Sequence, residues 1–384
     1  MRIGRLPRRL FAPVAVSLAV AVSLALTIRP AAAAAPPVPL FRLSDPRLTE
    51  ASGLALGHRS SSVLYLQNDS GDSARFFALD ARTGAVRAVC AVPGARNLDW
   101  EDLATGPDPA GRWSVWLADI GDNDAVRTEI QLYRVAEPVL GSPSIGSAGL
   151  LSTGRPDVWR LRYPDGPHDA ESLVADPVGR RLYVITKALL GRSEVFEVPA
   201  EPDPARVRPM SLVGSIEFRP TGTRGGPSPL GQLTATGAGM SPDGSLLAVR
   251  TYTDAYLWPV TGGQLVAALG RPPVRIPLPA QPRGEGIAVT ADALLVDSEG
   301  AGTPVYRVPL PGALLVRPGA SVMPTEAAGV SPAGGQPTGT SSAPSTGSTA
   351  DHWTLNWLIS TATIAALAAV ALLARRWRGS RPRR

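Results

Sequence analysis

The chain has 384 residues, 44% of them hydrophobic and only 5% aromatic, with 39 Gly and 39 Pro. That much Gly and Pro excludes a helical bundle, because both break helix interiors; a single cysteine, Cys90, and three histidines exclude internal disulfides and Cys- or His-rich metal sites. The net charge of +6 comes from arginines at the two ends, and the stretch between them is acidic, so it lacks the basic face that nucleic-acid binding needs.

Residues 1–35 read as a signal peptide. Arg2 to Arg9 form a basic start, Leu10 to Ile28 are almost wholly apolar, and Ala32 to Ala35 offer small residues to a peptidase. Arg8-Arg9-Leu10-Phe11 resembles a twin-arginine export signal in part; an ordinary secretory signal is the simpler reading.

Residues 36–317 carry a short unit that recurs five times. A small or acidic residue stands two places before Leu, Met or Ile, and a turn and an apolar run follow. The copies are Ser52-Gly53-Leu54, Glu101-Asp102-Leu103, Glu171-Ser172-Leu173, Ala238-Gly239-Met240 and Glu285-Gly286-Ile287. A second strand follows each copy: Val63 to Leu66, Ser114 to Leu117, Leu182 to Ile185, Leu246 to Val249 and Ala293 to Val296. Turn sequences such as Asp108-Pro109-Ala110-Gly111 and Ser241-Pro242-Asp243-Gly244 join several of these pairs as hairpins.

Third strands are marked by Phe77/Leu79, Tyr133/Val135, Phe196/Val198, Trp258/Val260 and Tyr306/Val308, a spacing of two that puts both side chains on one strand face. Fourth strands are expected over Val86 to Val92, Val158 to Tyr163, Ser211 to Phe218 and Val274 to Leu278. The fifth unit lacks one, and Pro39 to Leu43 is placed to supply it and close a ring. This predicts an all-β fold, a β-propeller of five four-stranded blades. The long gaps between Leu103, Leu173 and Met240 leave room for a sixth blade. A β-sandwich is the rival architecture, and it does not explain five ordered triplets.

Residues 318–352 are almost all Gly, Ala, Ser, Thr and Pro and read as a flexible stalk. Residues 353–374 are uncharged and long enough to cross a bilayer as a helix. Six arginines in residues 375–384 then mark a cytoplasmic tail. A buried core helix is the alternative for 353–374. The organisation expected is a single-pass protein of the cell membrane with its ectodomain exported.

A propeller places the first strand of each blade along the axis, so Glu101, Glu171 and Glu285 are expected at one height in the channel, with Glu50 and Asp102 close by. Facing carboxylates do not all ionise unless a cation sits among them. Oxygen-only ligands suit Ca²⁺, and Glu101, Asp102, Glu171 and Glu285 are the metal-ligand candidates. The alternative is that these groups accept loop N–H bonds or pair with Arg250 and Arg283. A second acidic feature is doubled: Asp69 and Asp72 follow the second strand of unit one, and Asp119 and Asp122 that of unit two, suiting either a cation or ordinary turns. Lys187 and Glu299 hold the equivalent places in units three and five, and His168 is the one histidine beside acids within residues 36–317. These residues, with Glu50 and Arg250, are the candidates for lining a ligand channel. No nucleophile elbow, phosphate loop or dinucleotide glycine pattern is present.

The segments Glu50-Ala51-Ser52-Gly53-Leu54, Asp99-Trp100-Glu101-Asp102-Leu103, Asp119-Ile120-Gly121-Asp122-Asn123, Asp169-Ala170-Glu171-Ser172-Leu173 and Arg283-Gly284-Glu285-Gly286-Ile287 resemble the blade openings of phytase-like β-propellers. That group includes the proteins described as "esterase-like activity of phytase"; the chain also resembles uncharacterised exported bacterial propellers. The resemblance implies calcium ions in an acidic cleft, with Glu101, Asp102, Glu171 and Glu285 among their ligands. Lys187 is the only lysine, a departure from the basic phosphate-binding surroundings of those enzymes. The first function expected is a module that binds a protein or small-molecule ligand; the alternatives are a calcium-dependent ester hydrolase in the same channel and a purely structural envelope protein.

Overall fold

A computed structural model describes residues 35–140 and 149–315. Packing divides the chain into Met1–Ser321 and Val322–Arg384, and the second unit lies outside the described residues. So do the signal peptide, the stalk, the membrane span and the basic tail of the sequence reading, apart from Ala35. Among the described residues no helix is long and apolar enough to cross a membrane.

The first unit is a five-bladed β-propeller. Strand β1 (Val38–Arg42) comes first in the chain and belongs to the last blade. Blade one is β2 (Ala51–Leu56), β3 (Val63–Asn68), β4 (Arg75–Asp80) and β5 (Val86–Ala91). Blade two is β6 (Trp100–Pro107), β7 (Trp113–Asp119), β8 (Ile130–Ala136) and, after an intervening β9 (Gly149–Ser152), β10 (Asp157–Arg162). Blade three is β11 (Ala170–Asp176), β12 (Arg181–Thr186), β13 (Arg192–Glu197) and, after β14 (Asp203–Pro209), β15 (Ser211–Glu217). Blade four is β16 (Ala235–Met240), β17 (Leu246–Thr251), β18 (Asp254–Pro259) and β19 (Val274–Pro277), with the short helix α1 (Leu265–Leu269) before its last strand. Blade five is β20 (Ile287–Val289), β21 (Ala293–Val296) and β22 (Pro304–Pro309), completed by β1 lying antiparallel on β22.

The ring closes on the axis. Inner strands β2, β6, β11, β16 and β20 each neighbour the next, and β20 returns to β2. The crowding there explains the small residues of the inner strands. A Cβ on Gly53 would run into the backbone N of Leu103, and one on Gly237 into the carbonyl of Glu285. Hairpin chemistry sets the outer turns: Gly111 and Gly244 sit at φ +82° and +71°, where other L-residues are strained.

The core is spread between blades rather than held in one centre. Trp116, Trp159, Leu173 and Phe196 pack between blades two and three, and Tyr183, Ile185, Val249 and Trp258 between three and four. Leu54, Phe77, Leu295 and Val305 join blade one to blade five.

The room for a sixth blade is filled otherwise. Strand β9 leaves blade two and lies parallel to β5 at the outer edge of blade one. Strand β14 leaves blade three and lies parallel to β10 at the edge of blade two. Blades one and two therefore have five strands, not four. In blade four the same excursion is α1, which packs on β15 of blade three. Each excursion covers the edge strand of the blade before it, a common protection for an open sheet edge.

Candidate functional site

The inner strands share a device that pairing alone reveals. Their ladders slip at the start: between Ala51 and Leu54, Trp100 and Asp102, Ala170 and Ser172, and Ala235 and Gly237. A bulge leaves one residue unpaired and re-aims its side chain. Glu101, Glu171 and Thr236 are the residues skipped in blades two to four. The fourth copy of the motif is thus Thr236-Gly237-Ala238, two residues earlier than the Ala238-Gly239-Met240 of the sequence reading. In blade five Glu285 stands just ahead of β20.

Two of these positions are structural. The Ser52 hydroxyl donates to the Glu101 carbonyl, and the Thr236 hydroxyl donates to the Gly284 carbonyl at 2.8 Å, each tying one blade to the next. The other three are glutamates. Glu101, Glu171 and Glu285 are 4–5% exposed and stand where inner strands begin, at the end of the axis that forms the channel mouth, with Glu285 and the Glu171-bonded Lys187 both acting electrostatically on Glu101. Loops bring further acids to them: Asp69 after β3, Asp99 before β6, Asp169 before β11 and Glu299 after β21.

Asp69, Asp99 and Glu101 offer ligand oxygens all within 4.8 Å of one another. Oxygens bound to one Ca²⁺ at 2.3–2.6 Å can be at most about 5 Å apart, so the spacing fits a single hard cation. Gly121 walls the group, since a Cβ there would collide with carboxylate oxygens of both Glu101 and Asp99.

The electrostatics show the cost of leaving these acids together. Burial, reinforced by Asp69, Asp99 and Glu285, pushes the Glu101 carboxyl far above the usual range, against a lowering by Lys187. Burial also pushes Asp69 up to about 7, with Asp99, Glu299 and Glu50 adding to it. Glu285 is raised by burial and then by Glu299. The Tyr252 phenol is raised by burial and by the charges of Glu285, Glu299 and Glu101. Glu171 and Glu285 each have one buried oxygen, Oε2, without a hydrogen-bond partner. Such orphaned carboxylate oxygens fit a site built to surround a cation.

Other candidates serve the frame. Asp102 is fully buried beneath the mouth and accepts the N–H of Leu103 and of Leu173, both at 2.8 Å. Arg250 is buried and donates to the Gly286 carbonyl at 2.9 Å and the Asp297 carbonyl at 3.2 Å, clamping blade four to blade five. Asp72 pairs with Arg75 and Asp119 with Arg127, at 2.8 and 2.9 Å. Asp122 accepts the N–H groups of Val126 and Arg127 in its loop. Glu50 is exposed, and Glu299 pairs with Arg283 at 2.9 Å. His168 bonds Asp165 at 3.0 Å, and its ring lies 4.8 Å from Tyr163 and 5.6 Å from Phe196, in a separate small cluster with Glu194.

Asp99, Asp169 and Tyr252 were absent from the sequence candidates. The repeated Asp-x-Glu of Asp99-Trp100-Glu101 and Asp169-Ala170-Glu171 was the available signal for the two aspartates. Nothing in the sequence marks Tyr252.

No family model matches the sequence, and no curated protein matches it. Among solved structures the chain is similar to a glucose dehydrogenase, with 11% identity and a TM-score of 0.37, over 72% of this chain and 100% of that one. The phytase-like resemblance accordingly rests on the blade openings alone.

Proposed function

We propose that this chain is an exported, membrane-anchored propeller that acts as a binding module, with a hard divalent cation, calcium by donor chemistry, held in the channel mouth. The observation that carries the reading is the close approach of Asp69, Asp99 and Glu101, with ligand oxygens within 4.8 Å and orphaned Glu285 alongside. When bound, such an ion supplies charge and open coordination positions to an incoming ligand. Asp69, Asp99 and Glu101 would hold it; Gly121 leaves the space in which two of them converge.

Binding is favoured over ester hydrolysis because the nearby cationic side chains are engaged. Lys187 is bonded to Glu171 and Arg283 to Glu299, so the charge of each is already balanced by an acid rather than held for a phosphate. The test is thermal melting of the full-length protein in detergent, with calcium and with chelator. Calcium should raise the midpoint, and Glu101→Gln should remove the rise. Indifference of the native protein to both reagents would refute the cation. Metal-dependent turnover of phytate or of nitrophenyl esters would replace binding with hydrolysis.

A further inference from the structure

Lys187 is the only lysine in a chain with 37 arginines, and it stands among the acids of the mouth. It directly follows β12, and its backbone N–H bonds the Asp169 carbonyl at 2.8 Å, which anchors the stem beside blade three. Its ammonium bonds Glu171 Oε1 and lies 3.9 Å from Asp169 Oδ2, with the side chain 14% exposed. The other oxygen of Glu171 is buried and unpartnered. Arg283, by contrast, is spent on Glu299, with its side chain 63% exposed.

The acids thus form two lobes. Asp69, Asp99 and Glu101 make one, with spacing for an ion. Asp169 and Glu171 make the other, and an ammonium already occupies it. An ammonium is a compact point charge, closer to a bound ion than a planar guanidinium is. We propose that Lys187 is a tethered counter-ion that fills the Asp169–Glu171 lobe and so excludes a divalent cation from it. The inference deepens the cation reading above and rests on the same mouth. The influence of Lys187 reaches beyond its own lobe: it holds down the proton affinity of Asp99, Glu101, Asp169 and Glu285 together. Removing it leaves Asp169 and Glu171 facing three more acids with a vacancy of the right charge.

The measurement is the number of calcium ions bound per full-length chain, by titration calorimetry and by metal analysis after gel filtration. Lys187→Met should bind one ion more than the native protein. Asp169→Asn in that background should lose the extra ion. Lys187→Arg, which keeps the charge, should hold the native number. Equal numbers in Lys187→Met and the native chain overturn the inference, as does an extra ion in Lys187→Arg. Circular dichroism checks folding, and Lys187→Gln serves if the Met variant does not fold. A native chain that binds none while Lys187→Met binds one would sink the cation reading and still support the counter-ion.

Discussion

Asp102 Oδ2 accepts the backbone N–H of Leu173 at 2.8 Å, across the boundary between blades two and three near the axis. The same carboxylate takes the Leu103 N–H at 2.8 Å and lies 3.4 Å from the Ala238 N–H of blade four. One buried side chain therefore joins three inner strands. Burial raises its proton affinity, and the three N–H groups lower it, so the donors offset part of the cost of the buried acid.

Asp102→Ala would strand those N–H groups in the interior. Hydrogen bonds to a charged group contribute about 1.5–3 kcal/mol each, and buried unmade ones cost a similar amount. The expected loss is about 3 kcal/mol or more, read as a lower urea midpoint with calcium absent. An unchanged midpoint would show that the blades cohere without this link.

Gly121→Ala tests the wall of the site rather than its ligands. The added methyl collides with both Glu101 and Asp99 and forces their carboxylates apart. Calcium affinity should fall by tenfold or more, about 1.4 kcal/mol, while β7 and β8 on either side keep their pairing. Titration calorimetry gives the affinity, and circular dichroism checks the fold. Native affinity in this variant would place the ion elsewhere.

Much of this arrangement was legible in the residues. The five openings, the second strands and the use of Pro39 to Leu43 to complete blade five follow from period-two patterning and turn chemistry, which are local. The parallel straps β9 and β14 were not legible, because their partners β5 and β10 lie in the preceding blade. Sequence patterning puts the opening of blade four two residues late, because Met240 is apolar and Ala238 is not conspicuous; only the bulge after Ala235 aligns Ala238 with Leu173. The same bulges decide which acids face the mouth. Asp102 and Glu101 are adjacent and both acidic, yet one is a strut between blades and the other joins the acidic cluster with Asp69 and Asp99.

Asp297 predicts how stability depends on pH. Its carboxylate accepts the Gly286 N–H at 2.7 Å, while its other oxygen is buried without a partner. Burial pushes it up to about 7, despite Arg250 and the Gly286 N–H. An unfolded aspartate titrates near 3.9. Between about pH 4 and 7 the folded chain therefore holds a proton that the unfolded chain has released, so stability falls as pH rises through that window. Asp297→Asn keeps the oxygen facing Gly286 and removes the titration. In chelator, the drop in melting midpoint from pH 5 to pH 8 should be smaller in Asp297→Asn than in the native chain. Equal drops would assign the slope to other acids.

The closing strand offers a test of the ring itself. Val38 pairs with Arg307 and Phe41 with Val305, and the Leu43 N–H continues the ladder to the Thr303 carbonyl at 3.0 Å. Phe41 also fills the space left by Gly84, where any Cβ would strike its ring, so β1 is pinned to blade one as well as to blade five. Removing Val38–Arg42 should expose the free edge of β22. With roughly 1 kcal/mol for each ladder bond, the loss is a few kcal/mol. An open edge also recruits other strands, so the shortened protein should associate on gel filtration. Phe41→Ala removes the packing and leaves the backbone ladder, and should therefore lower the urea midpoint without association. If the shortened chain stayed monomeric at the native midpoint, blade five would be stable with three strands, and the ring would be held by its inner strands alone.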